Sequence, residues 1–203
     1  MRGPVVSPPM TDTGFELTEP IETERLVLRL VDAGDLEAVH AYQSREDVAR
    51  YLYWGPRSLD EAGASLEQKI ASRAIHSEGD VLTLAVVSKK HDRLIGDFIL
   101  QLVSSLHRQG EIGYIIHPDF AGNGFATEAG RVLLAIAFVD LRLHRVVGRT
   151  EARNTASARV LEKLGMRREA HLVENEWVKD EWQSELVYAI LDREWRAAST
   201  AAR

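Results

Sequence analysis

The chain contains no cysteine, and this absence excludes several functions at once. Disulfide frameworks, thiolate metal sites and cysteine nucleophiles all need that residue. Long hydrophobic runs are missing too, because no segment approaches the roughly 20 apolar residues that cross a bilayer. We therefore expect no membrane association, and the lack of cysteine suits a reducing, cytoplasmic location.

Basic runs and metal-binding spacings are also absent. The formal net charge is −6, without the long cationic stretch that non-specific nucleic-acid binding needs. The seven histidines form no His-Glu-x-x-His or other close metal spacing. We expect no nucleic-acid partner and no metal.

The length of 203 residues, 45% of them hydrophobic, predicts one core and one domain. We place that domain at residues 22–195. Four prolines among the first twenty residues favour a flexible leader over residues 1–21, and small polar residues favour a flexible tail over 196–203. The composition is compatible with a monomer or a homodimer.

Hydrophobic spacing predicts an α/β domain with a mixed, mostly antiparallel sheet and helices on both faces. A strand over 25–31 precedes two helices, the second opened by a Ser58–Glu61 capping box and running to about His76. The remaining predicted strands are 81–88, 93–105, 110–117, 145–151, 167–178 and 182–191, with helices near 126–137 and 156–164.

The stretch HPDFAGNGFATEA runs from His117 to Ala129. It is predicted to end a strand at the proline, to contain two glycines in a loop, and to begin a helix directly afterwards. Glycine lets the backbone approach a ligand closely, and the first turn of a helix has N–H groups without intrahelical partners. These features predict a phosphate site. An ordinary flexible turn is the simpler alternative.

Two common phosphate motifs fit this loop poorly. A Walker loop needs a lysine before Thr127, and Ala126 stands there. A dinucleotide fingerprint needs a glycine or alanine where Thr127 lies, with a short strand-to-helix connection. A dinucleotide oxidoreductase remains a minor alternative.

The same loop, followed by RVVGRTEARNTASARVLEKLGMRREA, resembles the GNAT acetyltransferase superfamily, in particular the ribosomal-protein N-terminal acetyltransferases. The resemblance covers about Glu22 to Leu191. The family's loop begins with a long polar residue, whereas this chain has Ala121, so one side-chain contact is lost and the backbone donors remain.

The resemblance implies acetyl-CoA as co-substrate, bound where two parallel strands splay apart. It implies that N–H groups of the loop hold the pyrophosphate and that the strand backbone binds the pantetheine arm and the reaction oxyanion. The implied binding residues are Tyr114, Ile115, Ile116, Gly122, Asn123, Gly124, Phe125, Ala126, Thr127, Asn154 and Ser157. Asn154 also has the position of a helix N-cap, and both roles are compatible.

Two residues are the expected catalytic groups. Many members of the family use a glutamate in the strand before the loop as base, which is Glu111 here, although a solvated strand end would look the same. Glu151 is the second candidate, or a partner of Arg153. The family's tyrosine acid would fall at Leu161, so protonation of the leaving thiolate is left to Ser157, water or solvent; Ser157 could instead bond within its helix.

The resemblance implies transfer of an acetyl or short acyl group to a primary amine, either on a small molecule or at a protein N-terminus. A non-catalytic acyl-CoA-binding or sensing module is the main alternative. The aromatic segment RYLYWGP, Arg50 to Pro56, could form the acceptor wall or pack under a loop.

Overall fold

The computed structural model describes residues 14–201. The predicted strands and helices occur in the predicted order, and three short strands (Phe15–Glu16, Ile21–Glu22 and Ala74–Ile75) and a last helix (Asp192–Ala201) are additional. The strands are β1 Phe15–Glu16, β2 Ile21–Glu22, β3 Leu26–Leu30, β4 Ala74–Ile75, β5 Val81–Ser88, β6 Arg93–Ser104, β7 Gln109–Ile116, β8 Arg145–Glu151, β9 Arg167–Val178 and β10 Glu181–Leu191. The helices are α1 Leu36–Gln43, α2 Glu46–Ala49, α3 Leu59–Ala71, α4 Phe125–Ala135, α5 Thr155–Lys163 and α6 Asp192–Ala201. Short 3₁₀ turns occupy Ala33–Asp35 and Pro118–Phe120, and a π-helical turn occupies Ile136–Asp140.

Eight strands form the main sheet in the order β2-β3-β5-β6-β7-β8-β10-β9. Short turns join β5, β6 and β7, so these strands pair antiparallel. The connection from β7 to β8 contains α4, and a helical crossover of this kind allows the parallel pairing that is observed. The predicted mixed, mostly antiparallel sheet is confirmed.

The parallel pair separates halfway along its length. Pairing between β7 and β8 extends from Gln109↔Arg145 to Ile112↔Gly148 and then stops. Strand β7 nevertheless continues to Ile116, and β8 continues to Glu151. The strands therefore splay apart as expected, and a gap opens between them at the end that leads into the glycine loop.

Helices cover both faces of the sheet. Successive residues of a strand point to opposite faces, so neighbouring residues of β5 pack against different helices. Leu84 of β5 packs in the larger core, which includes residues of α4 and α5. Its neighbour Ala85 packs on the other face, with residues of α1 and α3. This arrangement confirms the predicted two-sided helical cover.

Helix α3 begins as predicted but ends earlier. Ser58 and Glu61 form the reciprocal capping box. The helix stops at Ala71 rather than near His76, because residues 74–75 extend into β4 and bury Ile75 completely. Burial of this β-branched side chain outweighs one further helical turn.

The predicted flexible termini are too long where the structure describes them. Phe15 and Glu16 pair with Ile75 and Ala74, and Ile21 pairs with Leu28, so these parts of the predicted leader are held on the domain by strand pairing. At the other end, α6 extends to Ala201, and Arg196 donates to the Phe138 carbonyl. The remaining predicted leader, 1–13, and residues 202–203 lie outside the described residues.

Candidate active site

The glycine loop connects β7 to α4 through two residues in the left-handed region. Gly122 has φ +78° and Gly124 has φ +81°, values that side chains with a Cβ rarely adopt. The 3₁₀ turn at Pro118–Phe120 precedes them, and α4 begins at Phe125. Glycine is therefore required here by backbone geometry.

Six consecutive backbone N–H groups, from 122 to 127, have no hydrogen-bond acceptor among the described residues. The first helical bond is made by the Glu128 N–H to the Gly124 carbonyl. Unpaired N–H groups at the positive end of a helix suit an anion. The loop therefore fits a diphosphate without any charged side chain of its own.

Arg25, the residue before β3, anchors this loop from a distant part of the sequence. Its Nη1 donates to the Asn123 carbonyl at 2.9 Å, and its Nε donates to Glu128 at 2.7 Å. The guanidinium carbon also lies 4.8 Å from the centre of the Phe125 ring. Sequence reasoning missed Arg25, because a contact across 98 positions leaves no local pattern.

A cleft of about 580 Å³ lies between the end of β7, the loop and α5. Ten of the expected binding residues line it: Tyr114, Ile115, Ile116, Gly122, Gly124, Phe125, Ala126, Thr127, Asn154 and Ser157. Asn123 does not, because its side-chain amide turns back to the carbonyls of Phe120 and Ala121. For Asn123, the backbone N–H is the group available to a ligand.

Two hydroxyl groups meet in this cleft. The Tyr114 Oη lies 2.8 Å from the Ser157 Oγ and 3.0 Å from the Ser157 carbonyl oxygen. Burial raises the pKa of Tyr114 to about 12, and the hydrogen bond with Ser157 opposes this rise. Ser157 is thus oriented by Tyr114 rather than by a bond within its own helix. Asn154 caps α5, its Oδ1 accepting from the Ser157 N–H at 3.1 Å.

Leu161 faces the core and not the cleft. Its side chain is 1% exposed and packs so closely on Gly148 that a Cβ there would lie 2.6 Å from Leu161 Cδ2. The position where the family carries a tyrosine is therefore used for packing in this chain. Tyr114 and Ser157 are among the hydroxyl-bearing residues that line the cleft.

A second cavity, of about 190 Å³, adjoins the cleft. Both are lined by Tyr51, Leu52, Asn154 and Ser157. Four glutamates also line the second cavity: Glu111, Glu151, Glu176 and Glu185. Within the RYLYWGP segment, Tyr51, Leu52 and Tyr53 line the second cavity, and their role as an acceptor wall stays a prediction. Trp54 of the same segment does not line either cavity; the Arg57 guanidinium carbon lies 4.2 Å from the centre of its ring.

Glu111 occupies the second cavity beside one cation. Its Oε2 accepts from the Arg149 Nε at 3.3 Å, and Arg149 Nη1 donates to Glu185 at 2.8 Å. Burial raises the pKa of the Glu111 carboxyl above its ordinary value, Arg149 opposes this rise, and Glu185 adds to it. A carboxylate with a raised pKa in a cavity has the property of a general base.

The other carboxylates have partners of their own. Glu151 pairs with Arg153 at 2.8 Å, which matches the alternative role expected for it. Glu176 accepts from the Tyr53 hydroxyl at 2.7 Å. Sequence reasoning missed Arg149, Glu176 and Glu185, because strands β8, β9 and β10 bring them to a cavity that no short motif encodes.

Residues 14–201 contain no group of three or more histidine, aspartate or glutamate side chains placed to hold a metal ion. Within the same range, no helix has the length and apolar character needed to cross a bilayer.

Comparison with known proteins identifies similar chains. A family model described as an acetyltransferase (GNAT) domain matches residues 25–167. A Bacillus subtilis protein named as the N-acetyltransferase YnaD is 31% identical over 175 residues, covering 86% of this chain and 98% of the relative. The solved GNAT-family acetyltransferase of Bacillus anthracis has a TM-score of 0.77 and 29% identity, covering 86% and 99% of the two chains. The spermidine N-acetyltransferase of Vibrio cholerae, solved with CoA and spermine, has a TM-score of 0.71 and 26% identity over the same shares.

The ion pair of Glu111 gives a prediction that needs no substrate. Because Arg149 favours the ionised carboxylate, Arg149→Met should raise the pKa of Glu111 further, and the release of Glu185 should act in the same direction. Carboxyl-carbon NMR over a pH series measures this. Arg153→Met is the matched control, since Arg153 pairs with Glu151 and Glu181. An unchanged or lower Glu111 pKa in Arg149→Met would contradict the assigned contacts.

Proposed function

Because the chain belongs to the GNAT acetyltransferase family, we propose that it transfers an acetyl group from acetyl-CoA to a primary amine by direct attack in a ternary complex. The observation that carries this proposal is the row of six unpaired N–H groups at 122–127, directly beside the gap between β7 and β8. The N–H groups hold the pyrophosphate, and the gap takes the pantetheine arm.

The reaction centre lies where the gap meets the second cavity. Beyond Ile112, the edge of β7 that faces β8 has no strand partner, so its backbone groups are available to the thioester. An N–H of the Tyr114 to Ile116 segment stabilises the oxyanion that forms when the amine attacks the carbonyl carbon. The C–N bond forms and the C–S bond breaks. The sulfur takes up a proton and coenzyme A leaves as the thiol, while the new amide nitrogen gives up its remaining extra proton.

Glu111 is the proposed base. The acceptor arrives as an ammonium ion and must lose a proton before its nitrogen can attack. Glu111 lies in the second cavity, and its raised pKa favours proton uptake. Glu151 is the weaker candidate, because Arg153 binds both of its carboxylate oxygens.

Ser157 is the proposed acid for the leaving thiolate. Its hydroxyl lines both cavities and lies 2.8 Å from the Tyr114 hydroxyl. Tyr114 orients this group and can replace the proton that Ser157 gives up. No covalent acyl-enzyme is required, and the chain has no cysteine to form a thioester.

The second cavity favours an acceptor with more than one positive charge. Its lining carries four carboxylates against the single cation Arg149. A polyamine fits this charge, and the Vibrio cholerae relative solved with spermine supports that choice. A protein N-terminus, the other acceptor class expected from the sequence, brings only one ammonium group unless basic residues follow it. A binding or sensing module would have no use for a base in an adjoining cavity.

The loop prediction uses the glycine that lies nearest Arg25. Gly124→Val places a β-branched side chain at a backbone position in the left-handed region, within the N–H groups of 122–127 that are proposed to bind the pyrophosphate. Acetyl-CoA at about a hundred times its Kd should stabilise the native protein by about 2.7 kcal/mol, and Gly124→Val should lose that gain. Thermal unfolding with and without acetyl-CoA measures it.

Gly79→Val is the matched control for this substitution. Gly79 also has a positive φ, of +94°, but it lies outside the loop, and a Cβ added there would have no neighbouring atom within 4 Å. This variant should lose intrinsic stability and keep the acetyl-CoA shift. A full shift in Gly124→Val would place the phosphates elsewhere.

The base prediction compares two isosteric substitutions. A positioned general base contributes about 10²–10⁴-fold, so Glu111→Gln should lower turnover by about that factor. Because the base works only when deprotonated, activity of the unmodified protein should fall as pH drops through the raised pKa of Glu111. Glu111→Gln should remove this acid limb from the pH–rate profile.

Glu151→Gln is the control, and it should keep both turnover and the acid limb. If Glu151→Gln loses them while Glu111→Gln keeps them, the base is Glu151. If neither variant changes the profile, the proton leaves through water.

A further inference from the structure

A carboxylate lies at the N-terminus of α4, next to the row of unpaired N–H groups. Glu128 directly follows Thr127, the last residue of that row, and belongs to the first turn of the helix. Its side chain is 15% exposed and does not line the cleft. A negative charge at this end of a helix opposes the binding of a second anion there, because like charges repel.

Arg25, the residue before β3, neutralises this carboxylate. The Glu128 Oε2 atom lies 2.6 Å from the Arg25 Nη2 and accepts from the Arg25 Nε at 2.7 Å. The other oxygen, Oε1, accepts from the Arg25 backbone N–H at 3.0 Å and from the Thr23 hydroxyl at 2.6 Å. Burial acts to raise the pKa of Glu128, but the contacts with Thr23 and Arg25 outweigh it and lower the pKa below its ordinary value. The carboxylate is therefore ionised near neutral pH and depends on Arg25 for its counter-charge.

The same guanidinium also sets the direction of one loop peptide. Its Nη1 donates to the Asn123 carbonyl at 2.9 Å. The peptide bond between Asn123 and Gly124 is trans, so its carbonyl and its N–H point in opposite directions. With the carbonyl held toward Arg25, the Gly124 N–H is held pointing away from it, and Gly124 lines the cleft.

Resting on the proposed function, we infer that Arg25 is a positioning residue for acetyl-CoA, which directs the Gly124 N–H toward the diphosphate and cancels the Glu128 charge that would repel it. Arg25 does not line the cleft, so it acts through the loop and through Glu128. A guanidinium suits both tasks, because its planar fork presents several N–H groups to two acceptors at once.

The two tasks of Arg25 can be separated by experiment. Loss of the guanidinium releases the Asn123 carbonyl and also leaves the Glu128 carboxylate without its counter-charge. Only the second effect is relieved when the Glu128 charge is removed as well. Both effects concern the binding of acetyl-CoA, whereas the proposed base and acid, Glu111 and Ser157, have no contact with Arg25.

Calorimetric titration with acetyl-CoA, together with kcat at saturating acetyl-CoA and spermidine, tests the inference. Arg25→Met should raise the Kd for acetyl-CoA about tenfold, as expected for the loss of a charge-assisted contact, and leave kcat unchanged. Arg25→Met/Glu128→Gln should bind acetyl-CoA more tightly than Arg25→Met alone, because the uncompensated charge is gone. Arg25→Lys keeps the charge but cannot reach both acceptors, so its Kd should lie between those of the unmodified protein and Arg25→Met.

Arg29→Met is the matched control. Arg29 lies in β3 and donates to both carboxylate oxygens of Asp35, at 2.8 and 2.6 Å, without contacting the loop. This variant loses a comparable ion pair and should lower the unfolding temperature while keeping the Kd for acetyl-CoA.

An unchanged Kd in Arg25→Met would overturn the inference. So would a double variant that binds acetyl-CoA no more tightly than Arg25→Met, since the Glu128 charge would then have no effect on binding. If circular dichroism shows that Arg25→Met does not fold, an unchanged Kd in the milder Arg25→Lys has the same meaning. Failure of the unmodified protein to bind acetyl-CoA would instead contradict the proposed function.

Discussion

The separation of β7 from β8 after Ile112 is the constraint on which the site depends. A strand edge with unpaired N–H and C=O groups is costly unless another partner takes those groups. Here the edge faces a cleft, and the loop that follows β7 adds six more unpaired N–H groups at 122–127. These unpaired groups of β7 and of the loop therefore lie in one connected place, where an extended thioester with a diphosphate can pair with them.

Several contacts between distant parts of the sequence border the gap between β7 and β8 and fix its position. Arg25, the residue before β3, contacts the Asn123 carbonyl and Glu128 and so anchors the loop that contains the glycines. On the other side, Leu161 packs tightly over Gly148, the last β8 residue paired with β7. Arg149, one residue further, ties Glu111 to Glu185 across the opening. Packing on one face of β8 and ion pairs on the other thus border the same gap.

The sequence predicted most of what is encoded locally. The two glycines and the start of α4 have a short-range signature, and Asn154 occupies the cap that its residue type favours. The splay and the strand glutamate came from a family resemblance. Contacts between distant segments could not be predicted: the anchor at Arg25, the partners of Glu111, and the early end of α3, where pairing of Ile75 with Phe15 competes with helix propensity. Each depends on tertiary packing that spacing along the chain does not record.

The proposed reaction depends on direct attack of the amine on acetyl-CoA while both are bound. Initial rates measured with acetyl-CoA and a polyamine varied together test it most directly. Direct transfer predicts intersecting lines in double-reciprocal plots, with no acetyl group left on the protein after acid quenching in the absence of amine. Parallel lines, with labelled acetyl retained on the protein, would contradict it and would require a covalent acyl-enzyme.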